Sequence, residues 1–196
     1  MKPLRIVSLL SGVALIGAVL IVPASRIVKA DDVTGFVVDV AVNHHTFAIV
    51  PSMGLVLQPE PLGPNRGTTF IVDGTVFAGG TLATGPGQGD PGMPGSIGKW
   101  SCKGIFTSDL INGGSQSADD VGFNTTQMFQ FGPRDFIWTE GLEAGLGRQG
   151  VVTYRTILGG TGKFRGAAGE VIQEGLGTNA GGTPNIRLTF KLLKDR

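Results

Sequence analysis

The side chains with the most chemical potential fall at alternating spacing along short segments. Phe136, Trp138 and Glu140 share one parity, so an extended strand puts them on one face, two aromatics for an apolar ligand beside a carboxylate for polarisation or proton transfer. A carboxylate enclosed by aromatics loses hydration, which raises its pKa and suits it to acid or base work. Trp100 and Cys102 share a face in the same way. Tyr154 and Arg155 are neighbours in sequence and point oppositely in a regular strand, so at most one of them enters an interior. Glu140 and Tyr154 are therefore the candidate catalytic groups. Trp100, Cys102, Phe136, Trp138 and Arg155 are the candidate ligand contacts.

Several other chemistries are disfavoured. The segment Gly159-Gly160-Thr161-Gly162-Lys163 invites a phosphate-binding reading, but Ile157 and Phe164 stand where a P-loop needs Gly and Ser or Thr. A dinucleotide fingerprint would need Gly at Arg165 and a following helix, which Gly166 and Gly169 oppose. These glycines are expected to shape the backbone. His44 and His45, the two histidines of the chain, are adjacent in an expected turn with diverging side chains, and no further ligand stands at a metal-binding spacing. No metal site and no cofactor are expected. Cys102 is the single cysteine, so no intramolecular disulfide forms, and it lacks the basic pair of an activated thiolate; a buried structural role suits it best.

The elements that must position these groups are strands. With 33 Gly and 11 Pro in 196 residues, long helices are improbable, and the glycines punctuate apolar alternating runs. The clearest is 186–192, where Ile186, Leu188, Phe190 and Leu192 face one way and Arg187, Thr189 and Lys191 the other. Residues 151–158 and 164–174 flank the glycine turn, and 68–77 forms a strand pair bent at Gly74. Residues 96–107, 125–131 and 135–140 complete the centre. Residues 36–42 and 46–50 are expected to make a first hairpin turning near Asn43-His44. About eight strands suffice to close a small barrel and abolish its edges. The Gly- and Pro-rich run 85–95 is expected to be a long mobile connection, and 112–117 and 178–182 are further loops.

The first 30 residues have the layout of an export signal: Lys2 and Arg5, an apolar run from 6 to 22, then Val28-Lys29-Ala30 before a cleavage point. The expected domains are thus a signal peptide at 1–30 and one barrel domain at 31–196. The expected location is secreted or periplasmic, with an uncleaved membrane anchor as the alternative. That segment holds four of the 16 basic residues and none of the 15 acidic ones, so the remainder carries 12 basic against 15 acidic groups. A mildly acidic surface without a basic cluster gives no footing for nucleic acid.

The hairpin at 150–171, with Gly159-Gly160-Thr161-Gly162, an aromatic at 164 and Gly166-Ala167-x-Gly169, resembles the corresponding hairpin of the allene oxide cyclase and dirigent barrel superfamily. Residues 67–77 (Gly-Thr-Thr-Phe-Ile-Val-Asp-Gly-Thr-Val-Phe) and 97–104 (Ile-Gly-Lys-Trp-Ser-Cys-Lys-Gly) resemble the two strands that precede it there, and the match is nearest to exported bacterial barrel-like members. The resemblance implies a closed eight-stranded antiparallel β-barrel, an all-β fold, and by analogy with plant members a homotrimer. It also implies a small, largely apolar partner molecule in the lumen, handled by a cofactor-independent cyclase, isomerase or stereochemical guide. The competing expectation is a non-catalytic structural or partner-binding barrel filled by its own side chains, with Phe129, Phe131, Phe164 and Phe190 as the filling.

Overall fold

The computed structural model describes residues 33–46, 48–50, 67–107, 122–144 and 148–193. The signal segment and the 112–117 loop lie outside them. Nine strands follow in order: β1 Val33–Val42, β2 Ala48–Val50, β3 Thr69–Ala78, β4 Gly98–Phe106, β5 Gly122–Gln130, β6 Phe136–Ala144, β7 Val152–Gly160, β8 Gly169–Thr178 and β9 Pro184–Leu193. They form one antiparallel sheet in the order β1-β9-β8-β7-β6-β5-β4-β3-β2, and β1 pairs with β3 to close it. Strands β1 and β2 lie along the same edge of β3: Val38 to Val42 pair with Ala78 to Gly74, and Ala48 to Val50 with Ile71 to Thr69. The two act as one interrupted stave, so the closed barrel has eight.

This corrects the expected first hairpin, because the chain does not reverse at Asn43-His44. A 3-10 turn at His44–Thr46 is pinned to β3 instead. Asn43 N–H donates to the Asp73 carbonyl at 2.8 Å, and Asp73 N–H donates to Thr46 Oγ1 at 2.9 Å. Both bonds hold the chain on β3, so it continues in its original direction. The histidine rings do not diverge either; they lie against each other on the surface, centroids 3.6 Å apart. Strand β3 runs unbroken through Gly74, and β6 extends past Glu140 to Ala144. Phe164 belongs to a 3-10 turn at Gly162–Phe164, and β8 begins only at Gly169.

The glycine-rich connection between β7 and β8 folds back on the turn between β5 and β6. Thr161 N–H donates to the Phe136 carbonyl at 2.8 Å, Thr161 Oγ1 to the Arg134 carbonyl at 2.7 Å, and Lys163 N–H to Asp135 Oδ1 at 3.1 Å. Gly162 sits at φ 58°, and a Cβ there would come within 2.0 Å of Asp135 Oδ1. Glycine is required on both counts. The Gly-Thr-Gly-Lys sequence is therefore a clasp between two turns.

Alternation divides each strand between lumen and outer face, and the lumen is layered. At one end Phe36 stacks on Phe190 (centroids 4.5 Å apart), Phe129 meets Phe190 edge-on, and Phe131 and Phe164 pack against Phe36. All four phenylalanines named as filling thus take part, with Phe129 and Phe190 fully buried. At the other end Phe70, Phe106 and Phe123 form a triangle with centroids 5.5 to 5.8 Å apart. Each buried phenylalanine contributes about 1.5–3 kcal/mol from lost apolar hydration.

A second, smaller core lies outside the barrel wall. The long loop after β3 is packed and bonded, contrary to the expected mobile connection: Leu82 is buried with Ala41, Phe77 and Leu176, and Gly85 N–H donates to the Leu176 carbonyl at 2.8 Å. Asp39 anchors it. Its buried carboxylate takes Arg187 through Nε (2.8 Å) and Nη2 (3.1 Å) and accepts Leu82 N–H at 2.8 Å. That hydrogen-bonded carboxylate raises the Arg187 pKa further above its ordinary value.

Candidate functional site in the barrel centre

Between the two aromatic layers the lumen turns polar. On β5 the inward side chains run Phe123, Thr125, Gln127, Phe129, apolar at both ends and polar between them. Strand β6 adds Thr139 and Glu143, β7 adds Arg155, and β8 adds Gln173. Gly141 makes room for the arginine: a Cβ there would lie 3.1 Å from Arg155 Cα and 3.3 Å from its Cγ. Glycine in a strand interior, otherwise unfavourable, marks such a close approach.

Arg155 and Glu143 are the charged centre, with side chains 0% and 10% exposed. The guanidinium donates through Nε to Thr139 Oγ1 (3.0 Å), through Nη1 to Thr125 Oγ1 (2.7 Å) and to Glu143 Oε1, and through Nη2 to the Thr125 carbonyl (2.9 Å). Glu143 Oε1 also accepts from Thr125 Oγ1 and from Gln127 Nε2 at 2.8 Å, and its Oε2 accepts from Gln173 Nε2 at 2.9 Å. Gln127 in turn donates to Gln173 Oε1 at 2.8 Å. Four of the five guanidinium N–H groups are thereby placed, which leaves one on Nη2.

Desolvating two charges usually costs more than their attraction returns, so apolar side chains of similar volume would hold this layer as well. The charged pair at the centre of the barrel is therefore the candidate site. Three other buried polar atoms of the lumen strands, Trp100 Nε1, Gln127 Oε1 and Thr153 Oγ1, have no hydrogen-bond partner among the described residues. Buried polar atoms are rarely left so. Each of them, with the spare Nη2 N–H, is a candidate contact for a guest.

The structure sorts the sequence candidates by face. Arg155, Trp100 and Cys102 are lumen residues, at 2%, 4% and 3% exposure. The Cys102 thiol pKa is pushed up, first by burial and then by the Glu143 charge, against smaller lowering effects of Arg155 and a Thr125 hydrogen bond. The group is a neutral thiol. Phe136, Trp138 and Glu140 do share a face, but it is the outer one, where Glu140 accepts a hydrogen bond from Asn124 Nδ2 at 3.2 Å. Tyr154 is on the outside too, 66% exposed. A molecule in the lumen meets neither Glu140 nor Tyr154, because the wall of the barrel stands between. Inward parity on β6 belongs to Ile137, Thr139, Gly141 and Glu143; a strand ended at Glu140 hides the carboxylate that pairs with Arg155. The mid-strand Gly141 was the available signal for the arginine's neighbour.

A closed eight-stranded barrel with aromatic ends and a charged, hydrogen-bonded centre is the class of protein these residues build. Among solved structures it is similar to a pterocarpan synthase dirigent protein, at 17% identity and TM-score 0.51, over 84% of this chain and 90% of that one. It is similar also to a pyocyanin demethylase, at 16% identity and TM-score 0.50, over 79% of this chain and 98% of that one. The fold is thus that of the dirigent-type barrel group. No family model matches the chain, and no curated protein does.

Proposed function

We propose that the barrel centre binds a small, largely apolar molecule carrying one oxygen function, a carbonyl, phenol or carboxyl, and guides its cyclisation, isomerisation or coupling without a cofactor. The observation that carries this reading is the Glu143–Arg155 pair buried between two phenylalanine layers. The aromatic layers would bind and shield the carbon skeleton. Arg155 and Trp100 would donate to the oxygen as charge develops on it, and Glu143, fixed by its donors, would keep Arg155 aimed. Fixed donors in a site without water stabilise such charge without reorganising. Fold resemblance at this distance cannot select the reaction.

One observation favours a second reading, a structural barrel with a side-chain-filled lumen. Phe129, Ile137, Val171, Leu188 and Phe190 are all 0% exposed, and a water-sized void beside them would expose them. On the first reading, a guest enters by displacing side chains near Glu143, the lumen carboxylate that touches solvent.

Native mass spectrometry of the protein purified from its own host, followed by denaturation and analysis of released compounds, separates the two. A stoichiometric compound bearing one oxygen function, present with wild-type protein and absent with Glu143→Gln, is the expected result. Empty protein at every preparation, together with no binding from a panel of small ketones and phenols, would overturn it.

A further inference from the structure

A groove also lies on the outer face of the barrel. The turn between β5 and β6 and the clasp between β7 and β8 wall this groove of about 770 Å³, with Phe136 and Trp138 on its floor. The two rings are stacked, centroids 5.6 Å apart and planes 19° from parallel. Three cations rim the groove: Arg134, Lys163 and Arg165. Neither guanidinium meets an acidic partner among the described residues. Lys163 Nζ lies over Phe131 and Phe164, 5.4 and 5.1 Å from their ring centroids, so its charge stays unneutralised.

One acid, Asp135, lines the groove as well. Asp135 turns its carboxylate into the clasp, where Oδ1 accepts Lys163 N–H. With three cations against one carboxylate, the groove is net positive on a chain that is net acidic beyond its first 30 residues. The backbone of its two walls is joined by the Thr161 hydrogen bonds to Arg134 and Phe136.

We infer that this groove binds a planar aromatic carboxylate. A flat ring stacks against an aromatic floor in offset or edge contact. Arginine meets a carboxylate through two parallel N–H bonds, and its planar head also stacks on aromatic rings. The volume falls in the range of small-molecule sites and accommodates two fused rings with room for substituents. Neither half of this chemistry suffices alone: a neutral arene would leave the two guanidinium groups unpaired, and a non-aromatic acid would leave the stacked rings exposed.

The chain has two tryptophans, which makes the test internal. Titration of the full-length protein with 2-naphthoate, followed by the two indole N–H cross-peaks in a nitrogen–proton NMR spectrum, reports the groove through Trp138 and the lumen through Trp100. The expected result is saturable movement of the Trp138 peak with the Trp100 peak unmoved. Affinity should fall at least tenfold for 2-naphthamide, for cyclohexanecarboxylate and for R134Q/K163Q/R165Q, whose Trp100 peak reports retained folding. Raising salt should weaken wild-type binding, a readout that needs no variant. The inference is overturned by a Trp138 peak unmoved to the solubility limit or by equal affinity for acid and amide. Movement of Trp100 alone, or tighter binding of an acidic oligosaccharide than of naphthoate, overturns it too.

Discussion

Removing Arg155 and Glu143 separately and together distinguishes a pair kept for chemistry from a pair kept for stability. In Arg155→Met, Glu143 stays near the barrel centre with three neutral donors and no counter-charge, and breaking a buried pair in this way costs about 3–5 kcal/mol. Glu143→Met strands the guanidinium, held then by Thr139 Oγ1 and by Thr125 through its hydroxyl and carbonyl oxygens. The carboxylate site is 10% exposed, so solvent relieves part of that charge and the cost lies near the lower end, about 3 kcal/mol. The double variant leaves no buried charge. Gln127 and Gln173 keep their mutual hydrogen bond, and two methionines fill the space flexibly, so the expected net cost is about 2 kcal/mol or less. Urea unfolding of the four proteins gives the cycle, with a coupling of about 3 kcal/mol or more between the two sites. In thermal melts each single variant should lose roughly 6–20 °C, since each kcal/mol shifts the midpoint of a domain this size by about 2–4 °C. A double variant as unstable as the sum of the singles would refute the reasoning, because the coupling would then be zero and the two side chains would not act as a buried pair.

Other outcomes follow from the same geometry. Asp39→Ala leaves Arg187 and the Leu82 N–H without their partner, and should destabilise by about 3 kcal/mol in urea unfolding. Hydrogen exchange should rise first in the 79–95 loop. The Cys102 thiol, its pKa raised in the fold, should resist alkylation in native protein and react on unfolding. Its sign is that of a raised group: the contribution to stability is intact below the ordinary thiol pKa of about 8.5 and is lost as pH rises above it. Wild type should therefore lose stability above that pH faster than Cys102→Ala, as pH-dependent melts will report. Gly162→Ala forces a side chain into the left-handed region and onto Asp135; it should cost at least about 1–2 kcal/mol and release the clasp, read as loss of Lys163 amide protection.

The strands were legible because their alternation is strong: 186–192 is β9 almost to its ends, and the Gly-Thr-Gly-Lys turn is backbone geometry as its flanking residues required. That Trp100 and Cys102 share a face was legible from their spacing, and the structure turns that face into the lumen. On β6 the same logic misleads. Phe136 and Trp138 outweigh Ile137 and Thr139 in apolar bulk, yet the odd parity faces the lumen because it is the side that pairs in register with Phe129 and Gln127. Sequence periodicity fixes which residues share a face and leaves open which face is inside. The β1–β2 stave was hidden for a different reason, since its continuity depends on bonds from Asn43 and Thr46 to Asp73, 27 to 30 positions away.

The central claim, that the polar layer receives the oxygen of an apolar guest, is tested most directly at Trp100, whose buried indole N–H has no partner among the described residues. Its cross-peak should be followed while size-matched ketones, phenols and alkanes are titrated into wild type and into R155M/E143M. The account predicts saturable shifts from ketones or phenols in wild type, weaker ones from alkanes, and none of the oxygen preference in the double variant. A Trp100 peak that no compound moves at millimolar concentration, or that alkanes move equally, would contradict it.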